Sequence, residues 1–155
     1  MRARLIPSAG LVWFITTLTL LTASALSAPA AEMKLESLLL WGTNDPKPPP
    51  GKDYKPLDPE IRRKLEELPL KWTNWFIVNR KRFGVAPGDT KEMPMSDKCQ
   101  LNVKNVANRD VEVWLIGKGK EVVRQKQSLP KDHLLMLGGK DPGTTAWLVV
   151  LRRLE

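Results

Sequence analysis

The spacing of apolar positions changes character several times along this chain. Residues 10 to 21 are close to continuously apolar, and 33 to 41 are leucine-rich, ending in Trp41-Gly42. The second stretch predicts a first strand. Ile61, Leu65 and Leu68 then fall at i, i+4 and i+7, the stripe of an amphipathic helix. Asp58-Pro59-Glu60 opens that helix with a capping acid and a proline suited to the first turn, and Pro69 stops it, giving about ten residues. Such a short helix does not persist alone, so it must lie on a sheet. From Leu70 the period becomes two. Trp72, Asn74, Phe76 and Val78 alternate with Thr73, Trp75, Ile77 and Asn79. Apolar residues on both faces predict a central strand, covered by helix on one side and sheet on the other. Asn79 to Val85 continues that strand or leads out of it.

The second half keeps the two-residue period. Cys99, Leu101 and Val103 oppose Gln100, Asn102 and Lys104, and Val111, Val113 and Leu115 oppose Glu112, Trp114 and Ile116. Glu121 to Leu129, His133 to Leu137 and Thr145 to Arg153 complete five strand candidates. Turn signals separate them: Asn105 to Asp110, Gly117-Lys118-Gly119-Lys120, Pro130-Lys131-Asp132 and Gly138 to Gly143. Ala86 to Thr90 is another turn, and Pro94 confines Met93-Pro94-Met95 to an edge or irregular structure. The connections are too short for crossover helices. The chain is therefore expected to be mainly β: an antiparallel β-sandwich-like domain of about six to seven strands with one short helix. Sandwich and barrel both fit, and the Cys–Trp–Cys signature of immunoglobulin domains is absent. Between residues 43 and 56, five prolines forbid a helix and favour an extended polyproline connection on the surface.

Composition adds a compartment. Arg2 and Arg4 precede the apolar stretch, no acid occurs before Glu32, and small residues fill 23 to 31. This is the layout of a secretory signal peptide. Ala25 and Ala30 both satisfy the small-residue cleavage rule; Ala30 is preferred because the chain turns polar just beyond it. The competing reading is an uncleaved anchor, but Thr16, Thr17, Thr19, Thr22 and Ser24 loosen the stretch a spanning helix needs. The expected organisation is 1–30 signal peptide, 31–57 first strand and Pro-rich connection, and 58–155 helix plus antiparallel strands, with 31–155 one structural domain. No later stretch could span a bilayer as a helix. Loss of Arg2 and Arg4 lowers the formal charge of +8 by two, leaving a basic product. The expected destination is the periplasm or the medium. Cys99 is the single cysteine, so no intrachain disulfide can form and a buried thiol is expected.

The segments Leu40-Trp41-Gly42-Thr43-Asn44-Asp45, Lys71 to Arg80, Leu115-Ile116-Gly117-Lys118-Gly119 and Ser128 to His133 resemble an uncharacterised family of small exported bacterial proteins. The likeness spans most of the chain after the signal. It implies a secreted single domain and no particular activity.

Catalytic chemistry finds little to use. His133 and Cys99 are each the sole member of their type, whereas a zinc site needs three or four such ligands. The calcium-loop pattern is missing. A Ser–His–Asp triad would need His133, and no G-x-S-x-G accompanies it. The glycine–lysine turns at 117–120 and 138–140 do not fit the phosphate-loop spacing, and hairpin turns explain them. No cofactor, metal or catalytic residue is expected, and the chain reads as a non-enzyme.

Aromatic and basic residues together are more informative. Trp72 and Trp75 precede Arg80, Lys81 and Arg82, while Arg124 and Lys126 share a face of a later strand. Exposed tryptophan beside cations can stack on sugars or meet anionic partners. Equally, the tryptophans can fill a small core, and the charges can guard an edge strand. Trp72 and Trp75 have opposite parity, so they share a side only if a bulge or a delayed strand start intervenes. The expected function is a module binding an anionic ligand or a protein partner at the cell envelope. The alternative is an accessory subunit of an envelope assembly, docking through the Pro-rich segment or an open edge strand. An envelope-polymer hydrolase ranks third, and nothing resembles a nucleic-acid reader.

Overall fold

The computed structural model describes residues 31–107, 109–138 and 143–155. The export signal read at 1–30 lies outside the described residues, as does the centre of the turn after Gly138. The elements in chain order are β1 (Met33–Thr43), β2 (Lys55–Pro56), α1 (Pro59–Glu66), β3 (Asn74–Val85), β4 (Thr90–Ser96), β5 (Cys99–Ala107), β6 (Asp110–Gly117), β7 (Lys120–Ser128), β8 (Leu134–Gly138) and β9 (Ala146–Arg153). Two antiparallel sheets result. One is five-stranded in the order β2-β3-β1-β9-β8, and the other is four-stranded in the order β4-β5-β6-β7.

The sheets face each other across one apolar layer. Met33, Leu35 and Leu39 of β1, Val149 and Leu151 of β9, and Leu135 and Leu137 of β8 meet Leu101 and Val103 of β5 and Val111, Val113 and Leu115 of β6. Each is nearly or fully buried. At about 1.5–3 kcal/mol for each large aliphatic side chain buried, this layer holds the sandwich without disulfides. Helix α1 makes a third layer. Its Ile61 and Leu65 cover Leu38, Leu40, Ile77 and Val150 on the outer face of the five-stranded sheet. The leucine-rich stretch is thus buried from both sides, which requires apolar side chains at consecutive positions. That makes β1, and not β3, the central strand. β3 lies second from an edge, and β2 pairs with only its Phe76 and Ile77.

The architecture follows the sequence pattern: β4 is an edge strand, as Pro94 requires, with a register shift between Pro94 and Ser96. Four features differ. β2 and β4 raise the strand number above seven. The Pro-rich connection is folded back and is not one extended polyproline run: Lys52 N donates to Pro49 O at 3.2 Å, and Gly51 takes φ +75°. Proline then glycine at the two central positions is the preference of a type II turn. The helix ends at Glu66, so Leu68 leaves the stripe and is 40% exposed. Asp58 does not cap through its side chain; both its oxygens accept from Arg80 at 2.7 Å.

Candidate functional site

At the C-terminal end of α1 a cleft of about 690 Å³ opens between the helix and the start of β3. Leu65, Leu70, Trp72, Trp75 and Phe76 give it an apolar lining, and Arg62 and Glu66 stand beside them. Trp72 precedes the strand and Trp75 lies within it, so the delayed strand start brings both to one site. Their rings meet edge to face, with centroids 6.2 Å apart and planes at 77°. That geometry sets the positive edge of one indole against the negative face of the other.

The aromatic wall is fixed from β1. Gly42 lies directly beneath Trp75: a Cβ there would stand 2.7 Å from two carbons of its six-membered ring. Just beyond, Asn44 Oδ1 accepts from Thr73 N at 3.1 Å, and Asn44 O accepts from Asn74 Nδ2 at 3.4 Å. Thr43 Oγ1 in turn accepts from Asp45 N at 3.1 Å. Trp72 Nε1 donates to Thr144 O at 3.0 Å, anchoring the second indole to the segment before β9. The stretch from Trp41 to Asp45 is therefore the mount for the stretch from Trp72 to Trp75. At the same end of the sheet, Trp41 packs on Tyr54 and on Phe76 at 6.0 and 6.1 Å.

Arg80, Lys81 and Arg82 do not join the cleft. Alternation along β3 sends Arg80 and Arg82 to the helix side of the sheet and Lys81 to the other, opposite Ser37. The two arginines meet Glu36, which is fully buried at the centre of β1. Glu36 lies opposite Arg82 on one side and Arg152 on the other. Its carboxylate accepts from Arg82 Nε at 2.8 Å and from Arg152 Nε at 2.7 Å, with Arg80 Nη1 at 3.6 Å. Burial by itself would push this carboxyl up. The hydrogen bonds from Arg82 and Arg152, and the charges of Arg152 and Arg80, outweigh burial and hold it below the ordinary range. Asp58 binds Arg80, and Glu60 reaches Arg152 at 3.4 Å, so the network also tethers the start of α1. Glu36 and Gly42 are six positions apart on β1, roughly 20 Å of strand.

Arg124 and Lys126 lie on the outer face of the other sheet, far along the fold from both features. The Arg124 guanidinium stacks 4.5 Å from the centre of the Trp114 ring. It also binds Glu112 at 3.1 Å and Glu121 at 2.8 Å. With the Asn102 amide turned toward it, Asn102 Oδ1 accepts the Trp114 indole N–H at 2.7 Å. Lys126 stays exposed, opposite Glu112 in the ladder. The seven residues singled out in the sequence thus fall in separate places, and only Trp72 and Trp75 meet in a cleft.

The other reactive groups are quiet. Cys99 is half-buried at the start of β5 and packs on the inter-sheet core. Burial pushes its thiol up to about 11, so it stays protonated at neutral pH. His133 is exposed in its turn, with Nδ1 3.3 Å from Lys131 O. Among the described residues, no group of three or more His, Cys, Asp or Glu could hold a metal ion, and no helix is long and apolar enough to cross a membrane. Sequence reasoning missed Glu36, Gly42, Asn44 and Arg62. For Glu36 a signal existed: a lone acid within a leucine-rich strand must find cations.

These features define an antiparallel β-sandwich with a helix on one outer face and an aromatic cleft at that helix's end. Comparison with known protein families, with curated proteins and with solved structures found no match.

Proposed function

We propose that this protein is an exported, non-enzymatic module that binds a ligand at the cell envelope through the Trp72–Trp75 cleft. The carrying observation is the cleft itself. Its volume of about 690 Å³ falls inside the usual 300–1,000 Å³ of small-ligand sites. Its lining combines aromatic and aliphatic side chains with polar groups in about equal measure, and its indoles are locked by Gly42, Asn44 and Thr144 before any ligand arrives. Preorganisation of this kind removes part of the ordering cost of binding. The test is tryptophan fluorescence of the full chain against a panel of envelope glycans and anionic lipids. A saturable change that disappears in Trp72→Ala is expected. No change with any member of the panel overturns the reading.

The accessory-subunit alternative also has one observation behind it. β8 is an edge strand of Leu134, Leu135, Met136, Leu137 and Gly138, with no charge and no proline. The opposite sheet ends in β7, which carries Lys120, Glu121, Arg124 and Lys126. An uncharged edge is the one able to accept an added strand. Met136→Pro, which removes one backbone donor, is expected to abolish capture of a partner from envelope extract. A pull-down that recovers the chain alone removes this alternative.

A further inference from the structure

We infer that the cleft takes a carboxylated glycan, with Trp75 receiving a sugar ring and Arg62 its carboxylate. This rests on the cleft being the binding site. The first observation is a count of cations. Arg80, Arg82 and Arg152 are bound to Glu36, Asp58 and Glu60, and Arg124 to Glu112 and Glu121. Arg62 lines the cleft and takes part in none of the ion pairs among the described residues. Glu66 stands one turn further along the same helix and also lines the cleft, yet the two do not pair. The rim therefore offers one free planar donor and one free acceptor, about one helical turn apart.

That pair of groups selects among ligands. A polyanion would gain at Arg62 and lose at Glu66. A purely apolar chain would leave both without partners. A ligand with one carboxylate and several hydroxyls satisfies both, since a guanidinium binds a carboxylate through two parallel hydrogen bonds and Glu66 can accept from hydroxyls. The second observation is the placement of Trp75. Its six-membered ring is held against Gly42, yet Trp75 lines the cleft and is only partly buried, so part of the indole remains for the ligand. The C–H face of a pyranose ring is the polar-rimmed, apolar-centred surface that such an indole face attracts.

The experiment titrates the full chain with two matched pairs, following tryptophan fluorescence. The first pair is the N-acetylglucosamine–N-acetylmuramic acid disaccharide and N,N′-diacetylchitobiose, which lacks the lactyl carboxylate. The second is digalacturonate and its methyl ester. They separate a wall-derived acid from a uronate as the source of the charge. Wild type is expected to prefer at least one acid over its neutral twin by about tenfold. Arg62→Gln is expected to erase that preference while retaining the neutral sugar, and Trp72→Ala to lose both. Arg62 is exposed, and an unchanged circular dichroism spectrum checks the fold. Equal affinity for acid and neutral twins, or a preference that survives Arg62→Gln, overturns the role of Arg62 and leaves the cleft standing. A response to acyl chains or proline-rich peptides but to no sugar overturns the ligand class. No response to anything overturns the binding reading itself.

Discussion

Two places on this molecule combine tryptophan with arginine, and they end in opposite states. On the outer face of the four-stranded sheet, Trp114 is closed. Arg124 covers its ring, Glu112 and Glu121 neutralise Arg124, and Asn102 takes the indole N–H. At the end of α1, Trp72 and Trp75 line a cleft beside an arginine with no carboxylate. The ingredients are alike; what differs is whether the fold has already consumed them. Glu36 repeats the lesson, because it consumes the two arginines that follow Trp75 along β3. Composition points to aromatic and basic residues in general. Only the pairing shows which of them remain available.

The contrast can be broken where it is strongest. Glu36→Gln leaves Arg80, Arg82 and Arg152 facing one another around a buried position. Loss of one partner of a buried pair costs 3–5 kcal/mol, but these arginines are partly solvated, so about 2–3 kcal/mol is expected in denaturant unfolding at neutral pH. The pH dependence has a definite sign. A carboxyl held down in the folded state contributes stability fully above its unfolded value of about 4.3, and loses it as pH falls through the lower folded value. The gap between wild type and Glu36→Gln should therefore close in acid. A gap that is constant with pH would show that the carboxylate charge is not what stabilises.

Gly42→Ala comes next. Its methyl group would meet the Trp75 ring at 2.7 Å, so the ring must move. A loss of about 1–2 kcal/mol and a changed near-ultraviolet dichroism of the indoles are expected, together with weaker ligand binding. An unchanged indole signal would show that Gly42 is not the mount. Asn44→Ala should weaken binding less, since it frees Thr73 and Asn74 without displacing a ring. The smallest effects belong to the closed site. Trp114→Ala is expected to lower the melting temperature slightly and to leave ligand titrations unchanged. Lys126→Gln should change neither, because Lys126 is exposed on the far sheet. Impaired ligand binding in either variant would erase the distinction between the two sites.

Most of the fold was legible because its signals are local. The two-residue period recurs in β3 and from β5 through β9, and the stripe of Ile61 and Leu65 marks the helix. At Gly117 to Lys120, Lys118 and Gly119 adopt φ values of 50° and 77°, the tight hairpin their spacing implies. The misses have local signals that a distant partner overrides. Asp58 has every local mark of a helix cap and is drawn to Arg80 instead. Trp72 and Trp75 were legible as candidates, but not as a pair mounted on Gly42 and Asn44, because that contact joins residues some thirty positions apart. Arg62 lies off the apolar stripe of Ile61 and Leu65, where a charge is unremarkable. No sequence pattern says that a cation lacks a partner, since that depends on every other charge being placed.

Strand β1 lies between β3 and β9, with Leu35 opposite Phe83 on one side and Arg153 on the other. The first strand of the fold is therefore completed by the last. Until Ala146 to Arg153 arrives, Leu38 and Leu40 have a neighbour on one side only, and Glu36 lacks Arg152. Contacts so distant in sequence form late, because the loop must close before the pairing rewards it. A chain of this topology stays open while it is being synthesised.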